Sequence, residues 1–429
     1  MRTTRHILKI HGALYAAFLI WMPPMTSQSA KLTSLHAFKG PPDGAQPTAR
    51  VVIGPDRVLY GTTDWGGAGT CTGGLGCGTV FSLTPPGSSG SSWTESVYSS
   101  VLGRGGANPF GGVAIGGAGL IYGATSSGGL ANEGTVFVLK PPAMAGGAVN
   151  ARVIHEFTGY PGDGGEPEGS LTIGNGGVLY GTTTLGGSTD AGAVFSLTPP
   201  TVPGGSWSEI LLHSFACCNT DGGGPQTGVT IGSGGVLYGT TSLGPLDSPG
   251  MVYSLTPPEA PGDPWTETIL HVFGAPNDGS EIYYSGVAIG SGGVLYGTTA
   301  FGGASNNGTV YSLTPPASPG GPWSEAVLYS FAGGSDGFNP YGGVTVGSGG
   351  VLYGTTSSGG AGIYCGTVFS LTPPATTGGT WTNTVLHRFT GSDGCLPYAG
   401  VTIGSGGVLF GTTNAGGIWG KGNVFSLRP

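Results

Sequence analysis

Charge is what this sequence has least of. Asp, Glu, Lys and Arg make up 8% of its 429 residues, where about a quarter is usual, and no Lys or Arg occurs between Arg152 and Arg388. Nucleic-acid binding needs clustered basic side chains to neutralise phosphates, so it is excluded, and attachment to an anionic membrane surface fails for the same reason. Helical periodicity is missing beyond residue 30, and so is any second long apolar run. A membrane-spanning helix needs about 20 apolar residues, so no membrane insertion of the mature chain is expected. Cysteine is scarce, with six in all.

What is present begins with a separate N-terminal unit. Arg2, Arg5 and Lys9 precede an apolar run from Ala13 to Met22, and small or polar residues follow to Ala30. This is the order of a secretory signal peptide, so residues 1–30 read as a cleaved export signal and the mature protein as secreted or cell-surface. Its removal takes three basic residues and no acidic ones, leaving ten Lys or Arg against 21 Asp or Glu, a net charge of −11. In an exported chain the cysteines are disulfide candidates: Cys71 with Cys77 in one stretch, the adjacent Cys217 and Cys218, and Cys365 and Cys395.

Glycine supplies 91 residues and proline 33. They fall at fixed offsets between short apolar runs and read as turn punctuation. The hexapeptide Val236-Leu-Tyr-Gly-Thr-Thr241 has close copies that place an aromatic before glycine at Tyr60, Tyr122, Tyr180, Tyr238, Tyr296, Tyr353 and Phe410, with gaps of 62, 58, 58, 58, 57 and 57 residues. Each unit holds four β-rich runs separated by Gly and Pro turns, a four-stranded antiparallel meander. Residues 31–429 open on a fourth strand, Leu32 to Phe38, and close on a third, Asn423 to Leu427. A closed ring uses that offset, because the N-terminal strand completes the last sheet. The fold class is therefore all-β: one seven-bladed β-propeller of 28 strands with a repeat period of about 58 residues. The pattern G-G-V-L-Y-G-T-T … G-T-V-F-S-L-T-P-P resembles the bacterial Gloeo-Verruco (GloVer) tandem repeat over essentially the whole mature chain. That resemblance implies exported repeat proteins, often with a C-terminal sorting segment, and supplies no catalytic residues. No apolar tail precedes Pro429, so surface anchoring is not expected. Kelch-type propellers are looser relatives, sharing a Gly-Gly and an aromatic per blade.

The polar residues that repeat are expected to be structural. His36, His155, His213, His271 and His387 occupy one position on the fourth strand, with Tyr98 and Tyr329 in the other two blades. Equivalent rim positions are too far apart to share a zinc ion. Glu95, Glu209, Glu267 and Glu325 follow Trp93, Trp207, Trp265 and Trp323 by two and read as solvated, too far apart for paired carboxylate chemistry. Asp-Gly at Asp43, Asp163, Asp221, Asp278, Asp336 and Asp393 reads as turn chemistry, with calcium as the sharper alternative. No other cofactor is expected.

The functional surface is sought where repeats disagree. Three residues before each first strand stand Thr48, Phe110, Glu168, Gln226, Tyr284, Tyr341 and Tyr398. These should ring one mouth of the central channel, with Trp65, Phe301, Tyr364 and Trp419 from the loops joining strands two and three on the same face. A surface with aromatics and little charge suits stacking against sugar rings; the plainer alternative is that the aromatics plug the channel. The leading expectation is a secreted, monomeric, non-enzymatic propeller binding a glycan or protein partner through this mouth. A carbohydrate-active enzyme using Glu166 and Glu168, and a purely structural envelope protein, are the alternatives.

Overall fold

The computed structural model describes residues 30–429 except 70, 72–73, 89–91, 99–104, 142–149, 203, 218–220, 261, 319, 361–364 and 377. The expected signal segment lies outside this range, as do Cys218 and Tyr364.

Seven four-stranded antiparallel sheets form the blades of a ring. The first carries Val52–Ile53, Leu59–Thr63, Thr79–Thr84 and Thr94–Val97, from inner to outer strand. The next five repeat this order, with inner strands Ala114–Ile115, Thr172–Ile173, Thr230–Ile231, Ala288–Ile289 and Val344–Val346. Blade seven takes Thr402–Ile403, Leu409–Thr413 and Asn423–Arg428 from the C-terminus, and its outer strand is Lys31–Ala37, paired antiparallel with Asn423–Arg428. The expected closure by the N-terminal strand is what the chain does. No helix among the described residues is long and apolar enough to cross a membrane.

Each position of the hexapeptide has a separate task, set by a blade that is buried on both faces. Leu59, Leu179, Leu237, Leu295, Leu352 and Leu409 are fully buried. The tyrosine leans outward onto the next blade's outer-strand Trp: Tyr122 on Trp207, Tyr180 on Trp265, Tyr238 on Trp323 and Tyr296 on Trp381, all edge-to-face at 5.9 to 6.2 Å between ring centroids. Phe410 meets Trp93 in the same way across the closure. The glycine leaves room for the third-strand aromatic. A Cβ on Gly181 would sit 2.5 Å from Phe195 Cζ and 2.9 Å from Leu171 Cδ2.

The first threonine then bonds to the following blade, as Thr62 to Gly111 O (2.8 Å), Thr182 to Thr227 O (2.7 Å) and Thr412 to Ala49 O (2.9 Å). The second holds its own loop, as Thr63 to Trp65 O and Thr299 to Phe301 O, both 2.8 Å. Inner strands are stitched by a further threonine, as Thr230 to Val287 O, Thr345 to Val401 O and, closing the ring, Thr402 to Val51 O. The Gly-rich turn before the hexapeptide needs a left-handed residue, Gly234 at φ 68° in blade four; Asp56 and Ala118 adopt the same conformation in blades one and two.

Adding one methyl at Gly181 should therefore force Phe195 off its position. Overpacking of this kind costs about 1–3 kcal/mol. Thermal unfolding of Gly181→Ala should show a lowered Tm, while Gly117→Ala, whose Cβ meets nothing within 4 Å, should leave it unchanged. Equal Tm values for both variants would refute the close-approach account.

Candidate functional site

The mouth of the ring is shaped by one residue per blade in the left-handed backbone region: Gln46, Asn108, Glu166, Gly224, Glu281, Asn339 and Leu396, with φ between 52° and 61°. Left-handed backbone is unfavourable for the six non-glycine residues, and neighbouring backbone on both sides holds it. The N–H of Glu166 donates to Glu133 O (2.8 Å) in the preceding blade, and its C=O accepts from Thr184 N (3.1 Å) in the blade it enters. Asn108 is held by Cys77 O and Ser126 N, and Leu396 by Cys365 O and Asn414 N. In six of the seven blades proline follows, which fixes φ. The side chain two residues beyond is thereby aimed at the channel mouth.

Blade five departs from this spacing. Five residues lie between Glu281 and Val287, but four between Glu166 and Leu171. The extra residue brings both Tyr283 and Tyr284 to the mouth. Counting back from the inner strand finds Tyr284 and misses Tyr283; counting two forward from the left-handed residue finds Tyr283 and misses Tyr284, so only the two counts together find both.

Four of the expected residues converge. Phe110 and Tyr284, from blades on opposite sides of the ring, have ring centroids 4.9 Å apart. Tyr284 is 6.4 Å from Tyr341, which is 5.7 Å from Tyr398 and 5.8 Å from Tyr283. The rings make one continuous aromatic cluster across the mouth, each half-buried. Burial raises the Tyr284 hydroxyl to about 12, with Glu168 and the neighbouring tyrosines adding to it. The Tyr283 hydroxyl donates to Glu281 Oε2 at 2.7 Å, and that bond raises its pKa to about 12. Trp65 sits on a short strand pair with Ala45, and Trp419 is 54% exposed. Among the described residues neither is in ring contact with the cluster.

Beneath the cluster lies a cavity of about 500 Å³ lined by the segments that enter all seven blades and by the inner strands of five of them, with Phe110, Glu168, Gln226, Tyr284 and Tyr398 at its edge. Two charged groups face it. Glu168 is largely withdrawn from water, and burial, with Glu166 adding to it and the Thr184 side chain opposing, raises its carboxyl to about 7; among the described residues its Oε2 has no hydrogen-bond partner. Arg50, which the sequence reading passed over, reaches across to Thr345 Oγ1 (3.3 Å) and Gly342 O (3.5 Å) in blade six. Burial lowers its pKa, and among the described residues no carboxylate pairs with it. The signal was available: its counterparts are Gly112, Ser170, Gly228, Gly286, Gly343 and Gly400.

The outer rim corrects one expectation. Equivalent histidines are indeed apart, but each meets non-equivalent residues. His36 of blade seven faces Asp43 of the connecting loop and Glu95 of blade one, its Nε2 3.3 Å from a carboxylate oxygen of each. His155 similarly faces Asp163 and Glu209, and His213 faces Asp221 and Glu267. The glutamates are not solvated, because the Trp two residues earlier anchors their strand against the preceding blade. Burial raises Glu95, Glu209 and Glu267 to about 7. The aspartates do serve turns, with Oδ1 accepting from Gly44 N, Gly164 N and Gly222 N, while the carboxylate also faces the histidine.

Disulfides join Cys71 to Cys77 and Cys365 to Cys395, and Cys217 is also disulfide-bonded. The Cys365–Cys395 bond ties a loop of blade six to the segment entering blade seven.

The Gloeobacter/Verrucomicrobia repeat model matches residues 70–281 and 260–429. The chain belongs to this repeat family. No curated protein matches it significantly. Among solved structures it is similar to PorZ of Porphyromonas gingivalis, an essential bacterial surface component of the type-IX secretion system, at 15% identity and a TM-score of 0.50 over 92% of this chain and 48% of PorZ. It thus spans about half the length of PorZ. A candidate 6-phosphogluconolactonase from Bacteroides uniformis is similar at 13% identity and a TM-score of 0.48, covering 82% of this chain and 88% of that one. These likenesses concern the fold.

The Glu168 carboxyl, followed by carbon-13 NMR, should titrate near pH 7 rather than near the ~4.3 of an ordinary glutamate. A midpoint below 5 would mean that water reaches it freely and that the mouth is not closed over it.

Proposed function

We propose that this GloVer-repeat protein is an exported, non-enzymatic propeller that binds an uncharged glycan at the channel mouth. The observation that carries this reading is the convergence of Phe110, Tyr283, Tyr284, Tyr341 and Tyr398 into one half-buried aromatic cluster. Aromatic faces pack against the C–H faces of sugar rings, and a cluster already held in place loses little conformational freedom on binding. Glu168, Gln226 and Arg50 supply polar groups around the apolar surface, the usual composition of a small-molecule site. The signal-like N-terminus and the disulfide-bonded cysteines support export.

Glu168 favours a second reading. A carboxyl raised to about 7 in a cleft has the pKa of a general acid, which a carbohydrate-active enzyme would use.

A glycan array followed by calorimetry on residues 31–429 separates these readings. At least one neutral oligosaccharide should bind, and the triple variant Tyr284→Ala/Tyr341→Ala/Tyr398→Ala should weaken it at least tenfold, given about 0.5–1.5 kcal/mol per aromatic contact. Undiminished binding by that variant removes the mouth from consideration. Turnover of the bound glycan, lost in Glu168→Gln with affinity retained, would establish the enzyme instead.

A further inference from the structure

We propose that the clusters His36/Asp43/Glu95, His155/Asp163/Glu209 and His213/Asp221/Glu267 are zinc sites that join neighbouring blades at their outer edges. They are the three groups of His and carboxylate ligands found among the described residues, and in each the ligand atoms lie within 4.8 Å of one another.

At the first two clusters the spacing is that of metal ligands more than of hydrogen bonds, while at the third His213 Nε2 is hydrogen-bonded to Asp221 Oδ2. Zinc holds nitrogen and oxygen at about 2.0–2.2 Å in a tetrahedron, which places neighbouring ligand atoms roughly 3.3 Å apart. His36 Nε2 is 3.3 Å from Asp43 Oδ2 and 3.3 Å from Glu95 Oε1. The corresponding distances at His155 are 3.7 and 3.6 Å. Among the described residues His36 Nε2, Glu95 Oε1, His155 Nε2 and Glu209 Oε1 are all buried without a hydrogen-bond partner. At the third cluster His213 Nε2 is 2.9 Å from Asp221 Oδ2 and 3.9 Å from Glu267 Oε2. The fully buried Tyr253 of the same blade interface has a hydroxyl with no hydrogen-bond partner among the described residues. The rings are pre-aimed, since His36, His155 and His213 each stand edge-on to a buried phenylalanine at 4.6 to 4.8 Å. One neutral imidazole, two carboxylates and one divalent cation sum to zero charge, which suits a site withdrawn from water. A fourth position falls to water or a second carboxylate oxygen.

Between blades four and five His271, Asp278 and Glu325 keep the same residue types, but there the histidine is hydrogen-bonded to Asp278 at 3.1 Å and the three do not close to the ligand spacing of the other clusters. The remaining three interfaces act as controls within the same chain. Between blades five and six, Tyr329 and Asn383 replace His and Glu, and both donate to Asp336 at 2.8 to 3.0 Å. Between blades one and two, Tyr98, Gly105 and Ala151 replace all three residues, and Tyr98 turns to Ser82 Oγ instead. Where the histidine goes, the glutamate goes too, so the carboxylate is kept only where a third ligand stands opposite. Blades six and seven keep His387 with Asp393 (2.8 Å) but carry Leu32 at the glutamate position.

A protonated histidine and a protonated glutamate would balance charge equally well. Zinc requires the deprotonated ligands, so its stabilising effect should grow as pH rises.

Residues 31–429, loaded with zinc and exchanged into metal-free buffer at pH 8, should retain three ions per chain by elemental mass spectrometry, as the three clusters require. Each of Glu95→Gln, Glu209→Gln and Glu267→Gln should remove one. Zinc should raise the Tm of chelator-treated wild type on the order of 5 °C or more and leave the triple variant unmoved. Retention of no zinc, or an identical Tm with and without it at pH 8, overturns the proposal. If the triple variant does not fold, the wild-type zinc content decides alone.

Discussion

Every blade is sandwiched between two others, and that constraint governs the molecule. A sheet buried on both faces cannot alternate polar and apolar side chains, and its third strands accordingly run buried through Thr79 to Leu83 and their counterparts. A sheet so covered must also leave space for what presses on it. Glycine at the centre of the second strand admits the third-strand aromatic, and the flanking leucine and tyrosine then fall into core and interface. The threonines carry the polar side of the same contact, since their hydroxyls satisfy carbonyls of the adjoining blade that would otherwise be buried and unpaired. The hexapeptide is uniform because each copy meets the same neighbour.

This is why the architecture was legible from sequence. Seven copies of one interface leave seven copies of one pattern, and the offset of Lys31–Ala37 from Asn423–Arg428 disclosed the closure. The ring of mouth residues could be found by counting for the same reason. Tyr283 escaped because the insertion in blade five breaks the count at that point. Arg50 is not aromatic and stands outside the ring of mouth positions, and only its contrast with the glycine or serine of the other six blades marks it in the sequence.

The rim was misread for a different reason. Comparing equivalent positions asks whether His36 meets His155, but a propeller brings together positions that are not equivalent, one from each side of a blade boundary. The relation between His36 and Glu95 spans an outer strand of the last blade and one of the first, which no short sequence window contains. Covariation among the seven repeats carried the information: Tyr98 with Ala151, and Tyr329 with Asn383, change together.

The same blade boundaries prepare the mouth. Six non-glycine residues are held in left-handed backbone, each clamped by a carbonyl of the preceding blade and an amide of the one it enters. Such strain persists only where surrounding structure over-determines it, and here the clamp repeats around the ring. A loop held at both ends, usually with proline next, has little freedom left to lose when a ligand arrives. The aromatic cluster is thus a product of the scaffold's rigidity, and it is asymmetric: Phe110 alone reaches across from the side bearing Glu168, while the tyrosines come from three consecutive blades opposite, where Thr345 and Gly342 also hold the Arg50 guanidinium. A ligand seated there would meet apolar faces on both flanks, the Glu168 acid on the Phe110 side and the Arg50 donor on the tyrosine side, so its orientation would be set by a ring whose other contacts are nearly symmetric.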